Sequence, residues 1–164
     1  MDIDRFNQLS DADAEAAIAH CVAIPAWRRA LAQARPFASV AALLAQGERL
    51  AQMWQAAELN QALAAHPRIG ERAGGADKEA SLSRHEQSAM QQADSALQQA
   101  MRQGNLDYEQ RFGRVFLIRA KGRSGEEMLA ELRRRLNNDE KSEQQEALSQ
   151  LREITLLRLK ETMA

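Results

Sequence analysis

Val115-Phe116-Leu117-Ile118-Arg119-Ala120 is the one run of this chain that resembles a β-strand, and its reading decides the fold. β-Branched and aromatic residues suit extended backbone, but a strand needs a neighbour to pair with, and no second alternating run exists to supply one. The segment is therefore expected to be an extended apolar stretch, or a helix start, lining a pocket. Everywhere else apolar residues recur at spacings of three and four, and the strong helix formers Ala, Leu, Gln, Glu and Arg dominate. The expected fold is all-α: a single compact domain spanning residues 1–164, with roughly seven to nine helices and no sheet.

Working outward, Ser124 and Glu127 form a capping-box pattern that opens a helix to about Leu136, and Ser142 with Gln145 is expected to cap the last helix. Before the strand-like run, Ser83 and Glu86 repeat the pattern and open a helix expected to reach about Gln103. Gly104 should end it, leaving a short helix to carry Tyr108. Nearer the start, Ser10 with Asp13 opens a helix to about Cys21, and Pro25 suits the first turn of a helix that carries Trp27 and Leu31. Ser39 is expected to cap a longer helix through Leu43, Leu50 and Trp54. Another runs to Ala65, where Pro67 stops it.

Composition narrows the function classes. With 22 basic and 23 acidic residues the formal net charge is −1, so no basic surplus is available to grip nucleic-acid phosphates. The run Arg133-Arg134-Arg135 is followed by Asp139, Glu140 and Glu143 and is expected to be a solvated helix face. The single cysteine, Cys21, excludes an internal disulfide and a cysteine-based zinc site. No apolar stretch approaches the roughly 18 residues of a membrane span, and the start of the chain carries no apolar signal-like core. A cytoplasmic protein without membrane contact is expected. The three histidines show no i, i+4 pair, so no metal site is expected.

Three residues stand out chemically. Pro67 disfavours helical backbone for His66, so that imidazole is expected to be splayed off a helix end, with an ordinary pKa suited to proton transfer. Glu86 would head an apolar helix stripe of Met90, Ala93, Leu97 and Met101, unless it does no more than close the capping box with Ser83. In the last helix Ala147, Leu151, Ile154 and Arg158 share a face. A guanidinium there needs a carboxylate partner or an anionic ligand, unless it snorkels to the edge of the stripe. Residue pattern alone names no reaction. It leaves open a catalyst, a helical interaction module with an apolar groove, or a sensor of small anions.

The same residues carry a family likeness. H-P-R-I-G at 66–70, S-x-x-E-Q at 83–87 and E-Q-R-F-G-R-V-F-L-I-R-A-K-G at 109–122, with a matching opening F-N-x-L and terminal Q-E-A-L-x-Q-L, resemble OHCU decarboxylase (2-oxo-4-hydroxy-4-carboxy-5-ureidoimidazoline decarboxylase). The resemblance implies removal of CO2 from OHCU to give (S)-allantoin, in urate catabolism, by an all-helical homodimer without metal or organic cofactor. In that picture His66 stands at the catalytic histidine, the proton donor. Glu86 matches the catalytic carboxylate that orients the substrate, and Arg158 the arginine that binds it. Pro67, Ser83 and Gln87 match substrate contacts, and Phe116, Leu117, Ile118, Arg119 and Ala120 match a backbone-rich pocket wall. Two positions depart from the pattern: Arg119, where a small or apolar residue is expected, and Arg114, where an aromatic or apolar one is.

Overall fold

The structure is a computed structural model that describes residues 1–66, 68–69, 82–83, 85–91 and 93–164. Among these residues the fold is all-α. Nine helices are present: α1 (Ile3–Gln8), α2 (Asp11–Ile18), α3 (Pro25–Gln33), α4 (Val40–Ala51), α5 (Ala56–Leu63), α6 (Ser88–Gln91), α7 (Ser95–Phe112), α8 (Gly125–Arg135) and α9 (Glu140–Thr162). Residues 115–120 form neither helix nor strand, and no strand occurs among the described residues, as the missing partner requires. The chain divides into two units, Met1–Ala62 with Arg152–Ala164, and Leu63–Leu151.

In the first unit the sequence signals for helix starts hold. The Ser10 hydroxyl accepts from the Asp13 amide and the Ser39 hydroxyl from the Ala42 amide, both at 3.1 Å, while Pro25 occupies the first turn of α3. Phe6, Ile18, Trp27, Leu31, Leu43 and Leu59 are among its buried side chains. Arginines take the carbonyls that helix ends leave open. Arg35 donates to the carbonyls of Phe6 and Leu9 at 2.8 and 2.6 Å, closing α1. Arg152 donates to the carbonyl of Ala51 at 2.8 Å, and there α4 ends, one turn before the expected Trp54. Desolvation lowers the pKa of Arg152.

In the second unit one expectation is overturned. The helix expected to stop at Gly104 runs through it to Phe112 and starts only at Asp94, whose carboxylate accepts from the Leu97 amide at 2.8 Å. Glu86, Met90, Leu97 and Met101 therefore do not lie along one helix. Gly104 is a packing residue and not a breaker, because a Cβ at this position would lie 2.8 Å from Leu132 Cδ2 on α8. The actual stop is Gly113, at φ +70°, whose amide bonds the Glu109 carbonyl at 2.8 Å. α9 likewise starts two residues before Ser142: Asp139 accepts from the Ser142 amide at 2.7 Å and so serves as the cap. That bond holds the Asp139 carboxyl below its usual pKa. The core of this unit joins Ile69, Met90, Met101, Tyr108, Phe116 and Ile118 with residues of α8.

Candidate functional site

His66 follows α5 by three residues, and its amide reaches back to the Leu63 carbonyl at 3.1 Å. Its side chain is half-buried, with Nε2 shielded from solvent. Pro67 lies outside the described residues. The two described residues after Pro67 are pinned to one helix. Arg68 Nε donates to both carboxylate oxygens of Glu109 at 3.0 and 2.9 Å, and Asn105 Nδ2 donates to the Ile69 carbonyl at 2.6 Å. Asn105 is 2% exposed, and its Oδ1 is buried with no hydrogen-bond partner among the described residues.

The S-x-x-E-Q stretch is helical at 82–83 and 85–86, so Ser83 lies within the helical turn and not at its cap. Ser83 and Gln87 are buried and Glu86 is half-buried, with the Gln87 amide bonded to the Ser83 carbonyl at 3.1 Å. Three sequence motifs thus feed one apolar core. Ile69 comes three residues after His66, Met90 four after Glu86, and Phe116, Ile118 and Ala120 come from the 115–120 segment. That shared core brings the three motifs into one unit of the fold.

Among the described residues no strand lies beside residues 115–120, and side chains hold part of their backbone instead. Arg135 Nη1 donates to the Leu117 carbonyl at 2.7 Å, the Arg119 amide donates to Gln150 Oε1 at 2.8 Å, and Arg123 Nε donates to the Arg119 carbonyl at 2.8 Å. The Arg119 guanidinium folds back to the Lys121 carbonyl beside Gly122. Arg114, the other departure from the family pattern, reaches Glu140 at 2.8 Å and lies against the Phe112 ring.

Arg135 corrects a further expectation. The three-arginine run is not uniformly solvated: Arg133 and Arg134 are exposed, but Arg135 is 1% exposed and pairs with Glu143, 0% exposed, at 2.5 Å. Glu143 also accepts from Tyr108 Oη at 2.5 Å and Asn138 Nδ2 at 3.1 Å. Burial, reinforced by that bond to Glu143, raises the Tyr108 pKa, so the phenol stays protonated. Sequence pattern hid this cluster, since its members come from three helices and only the eight-residue step from Arg135 to Glu143 hinted at a pair.

Arg158 belongs to the first unit. It is 1% exposed, as its place on an apolar stripe implied, and its Nη1 donates to the His20 carbonyl at 3.3 Å. Thr162 Oγ1 donates to the Arg158 carbonyl at 2.8 Å and lies 2.7 Å from His20 Nε2. A cavity of about 250 Å³ in the same unit is lined by Trp27, Leu50, Met53 and Trp54 and holds none of the candidate residues. Among the described residues no group of three potential metal ligands occurs, and no helix is long and apolar enough to cross a membrane.

A family model described as OHCU decarboxylase matches residues 7–160. Among solved structures, the chain is similar to an OHCU decarboxylase crystallised in the presence of (S)-allantoin, with a TM-score of 0.77 and 22% identity over 94% of this chain and 99% of that one. It is also similar to an (S)-allantoin synthase, with a TM-score of 0.74 and 15% identity over 99% of this chain and 54% of that one. At those identities the structures speak for the fold, and the family model for membership. A comparison with curated protein sequences gives no match.

Proposed function

The chain belongs to the OHCU decarboxylase family, a family of carboxy-lyases acting in purine catabolism, and we propose that it converts OHCU to (S)-allantoin with His66 as the proton donor. The supporting observation is that Ile69 of the H-P-R-I motif, Met90 just after the S-x-x-E-Q motif, and Phe116, Ile118 and Ala120 of the V-F-L-I-R-A motif pack in one core within the second unit. Breaking the bond to the carboxylate releases CO2 and leaves its electron pair on the ring carbon, from which the adjacent ring C=N can accept it. The substrate is thus its own electron sink. The protein's tasks are to fix the carboxylate, stabilise developing charge and place one proton on one face. His66, held by the Leu63 carbonyl behind it and by the pinned residues 68–69 after it, suits that delivery.

In this reading Glu86 orients the ureido or hydroxyl group, and Arg158, which matches the family's substrate-binding arginine, binds the substrate. Pro67, Ser83, Gln87 and the 116–120 wall complete the contacts. We take residues 1–164 to act as one such domain, in the cytoplasm, as a homodimer and without metal or organic cofactor. The family likeness supports the homodimer and the cofactor-free reaction, the length supports a single domain, and the single cysteine supports a reducing compartment.

The test follows circular dichroism during allantoin formation from freshly generated OHCU. Spontaneous decay gives racemic product and no lasting signal. Wild type is expected to give a fast, persistent signal that His66→Ala abolishes. A folded wild type indistinguishable from buffer would refute the proposal and put a non-catalytic helical module in its place.

A further inference from the structure

The Arg135–Glu143 pair is costly to bury, and apolar residues of similar volume would commonly serve stability as well. What an apolar pair could not do is hold a carbonyl. Arg135 divides its guanidinium between two tasks: Nε and Nη2 face the Glu143 carboxylate, and Nη1 faces the Leu117 carbonyl at 2.7 Å. Its plane also lies over the Phe116 ring, 4.5 Å from the centroid, and Tyr108 meets the same ring edge-on at 5.2 Å. Glu143 is fixed in turn by Tyr108 and Asn138. Two residues further along, Gln150 holds the Arg119 amide.

The two braces take the Leu117 carbonyl and the Arg119 amide, one on each side of Ile118. Ile118 is itself buried, and its N–H and C=O have no hydrogen-bond partner among the described residues. We infer that Arg135, clamped by Glu143, is a positioning residue that stands in for a missing strand and presents the Ile118 backbone to substrate at fixed geometry. The inference rests on the decarboxylase reading. Arg is required because one rigid fork must satisfy a carboxylate and a carbonyl at once.

The double variant Arg135→Met/Glu143→Gln removes both charges together, keeps an acceptor for Tyr108 and leaves Leu117 without its donor. Gln150→Leu removes the second brace and serves if the double variant does not fold. Arg134→Gln is the control, an exposed neighbour in the same run. Steady-state kinetics on OHCU, titration with (S)-allantoin and amide hydrogen exchange across 115–120 are measured for each. A wall used equally by ground and transition states predicts KM and the allantoin Kd raised about tenfold with kcat within about twofold, the loss of roughly one hydrogen bond's worth of positioning. Exchange should quicken in 115–120 but not in α7, and Arg134→Gln should match wild type.

A folded double variant with unchanged KM, Kd and exchange would overturn the brace. So would losses of kcat that merely follow the unfolded fraction. A wild type that neither turns over OHCU nor binds (S)-allantoin would overturn the functional reading, and this inference with it.

Discussion

Asn105→Asp should couple the stability of the His66 loop to pH. Asn105 is 2% exposed and donates to the Ile69 carbonyl at 2.6 Å. A carboxylate at that position cannot donate, and one of its oxygens would face the carbonyl oxygen at hydrogen-bond distance. Losing the bond and stranding the Ile69 carbonyl costs about 1–3 kcal/mol. Leaving a buried, uncompensated charge raises the total to about 3–5 kcal/mol. At about 2–4 °C per kcal/mol for a chain of this size, the thermal midpoint should fall by roughly 10 °C near pH 8. Protonation restores a donor. Burial and the facing carbonyl both push the folded carboxyl above its unfolded value near 3.9. The penalty is therefore smallest below about pH 4 and grows as pH rises, until pH passes the folded pKa. Asn105→Leu, which cannot ionise, should lose about 1–3 kcal/mol with no such slope. Chemical denaturation of wild type and both variants between pH 5 and 8 measures the difference. An Asn105→Asp deficit that is flat with pH, or absent, would refute the claim that Asn105 holds the Ile69 carbonyl.

Three further outcomes follow from backbone geometry and caps. Gly113→Ala should cost about 1 kcal/mol, since the residue sits at φ +70° with open space around its Cβ, and thermal melting should show the loss without a change in KM. Gly104→Val should cost about 1–3 kcal/mol by forcing Leu132 aside, and Gly104→Val/Leu132→Ala should recover part of it in the same melts. Asp139→Ala should destabilise the start of α9 at neutral pH. Because the native carboxyl is held below its unfolded pKa, the cap's contribution is present above that unfolded value and is lost as pH falls through the folded one, so wild type and variant should converge in acid denaturation curves.

What the sequence made legible was local. Ser10, Ser39 and Ser124 each accept from the amide three residues on, as the capping patterns imply, because a cap depends on a few consecutive residues. That 115–120 form no strand was also legible, since it followed from counting possible strand partners. Of the two readings open for Arg158, buried on the stripe or snorkelling from its edge, it is the buried one that the fold adopts, on the helix face of Ala147, Leu151 and Ile154. What could not be read was tertiary. Arg135 sits in a run of three arginines and looks solvated until Glu143 and the Leu117 carbonyl arrive from elsewhere in the fold. Ser142 looks like a cap until Asp139, three residues earlier and charged, takes that place.

The misreading of Gly104 has the widest consequence, because α7 organises the second unit. Met101, Gly104, Asn105, Tyr108 and Phe112 recur at steps of three and four, and all are buried. From this one face Gly104 admits Leu132 of α8, Asn105 holds the Ile69 carbonyl, and Tyr108 holds Glu143 and hence Arg135. One residue on from Tyr108, Glu109 holds Arg68. The loop that follows His66 and the brace on the 116–120 wall are therefore referenced to the same rigid helix. A helix that stopped at Gly104 would separate Met101 from Asn105 and Tyr108 and remove that common frame. A glycine costs a helix interior about 1 kcal/mol relative to alanine. Here that cost is offset by the approach of α8, and the continuous helix is what lets two distant motifs share one fixed geometry.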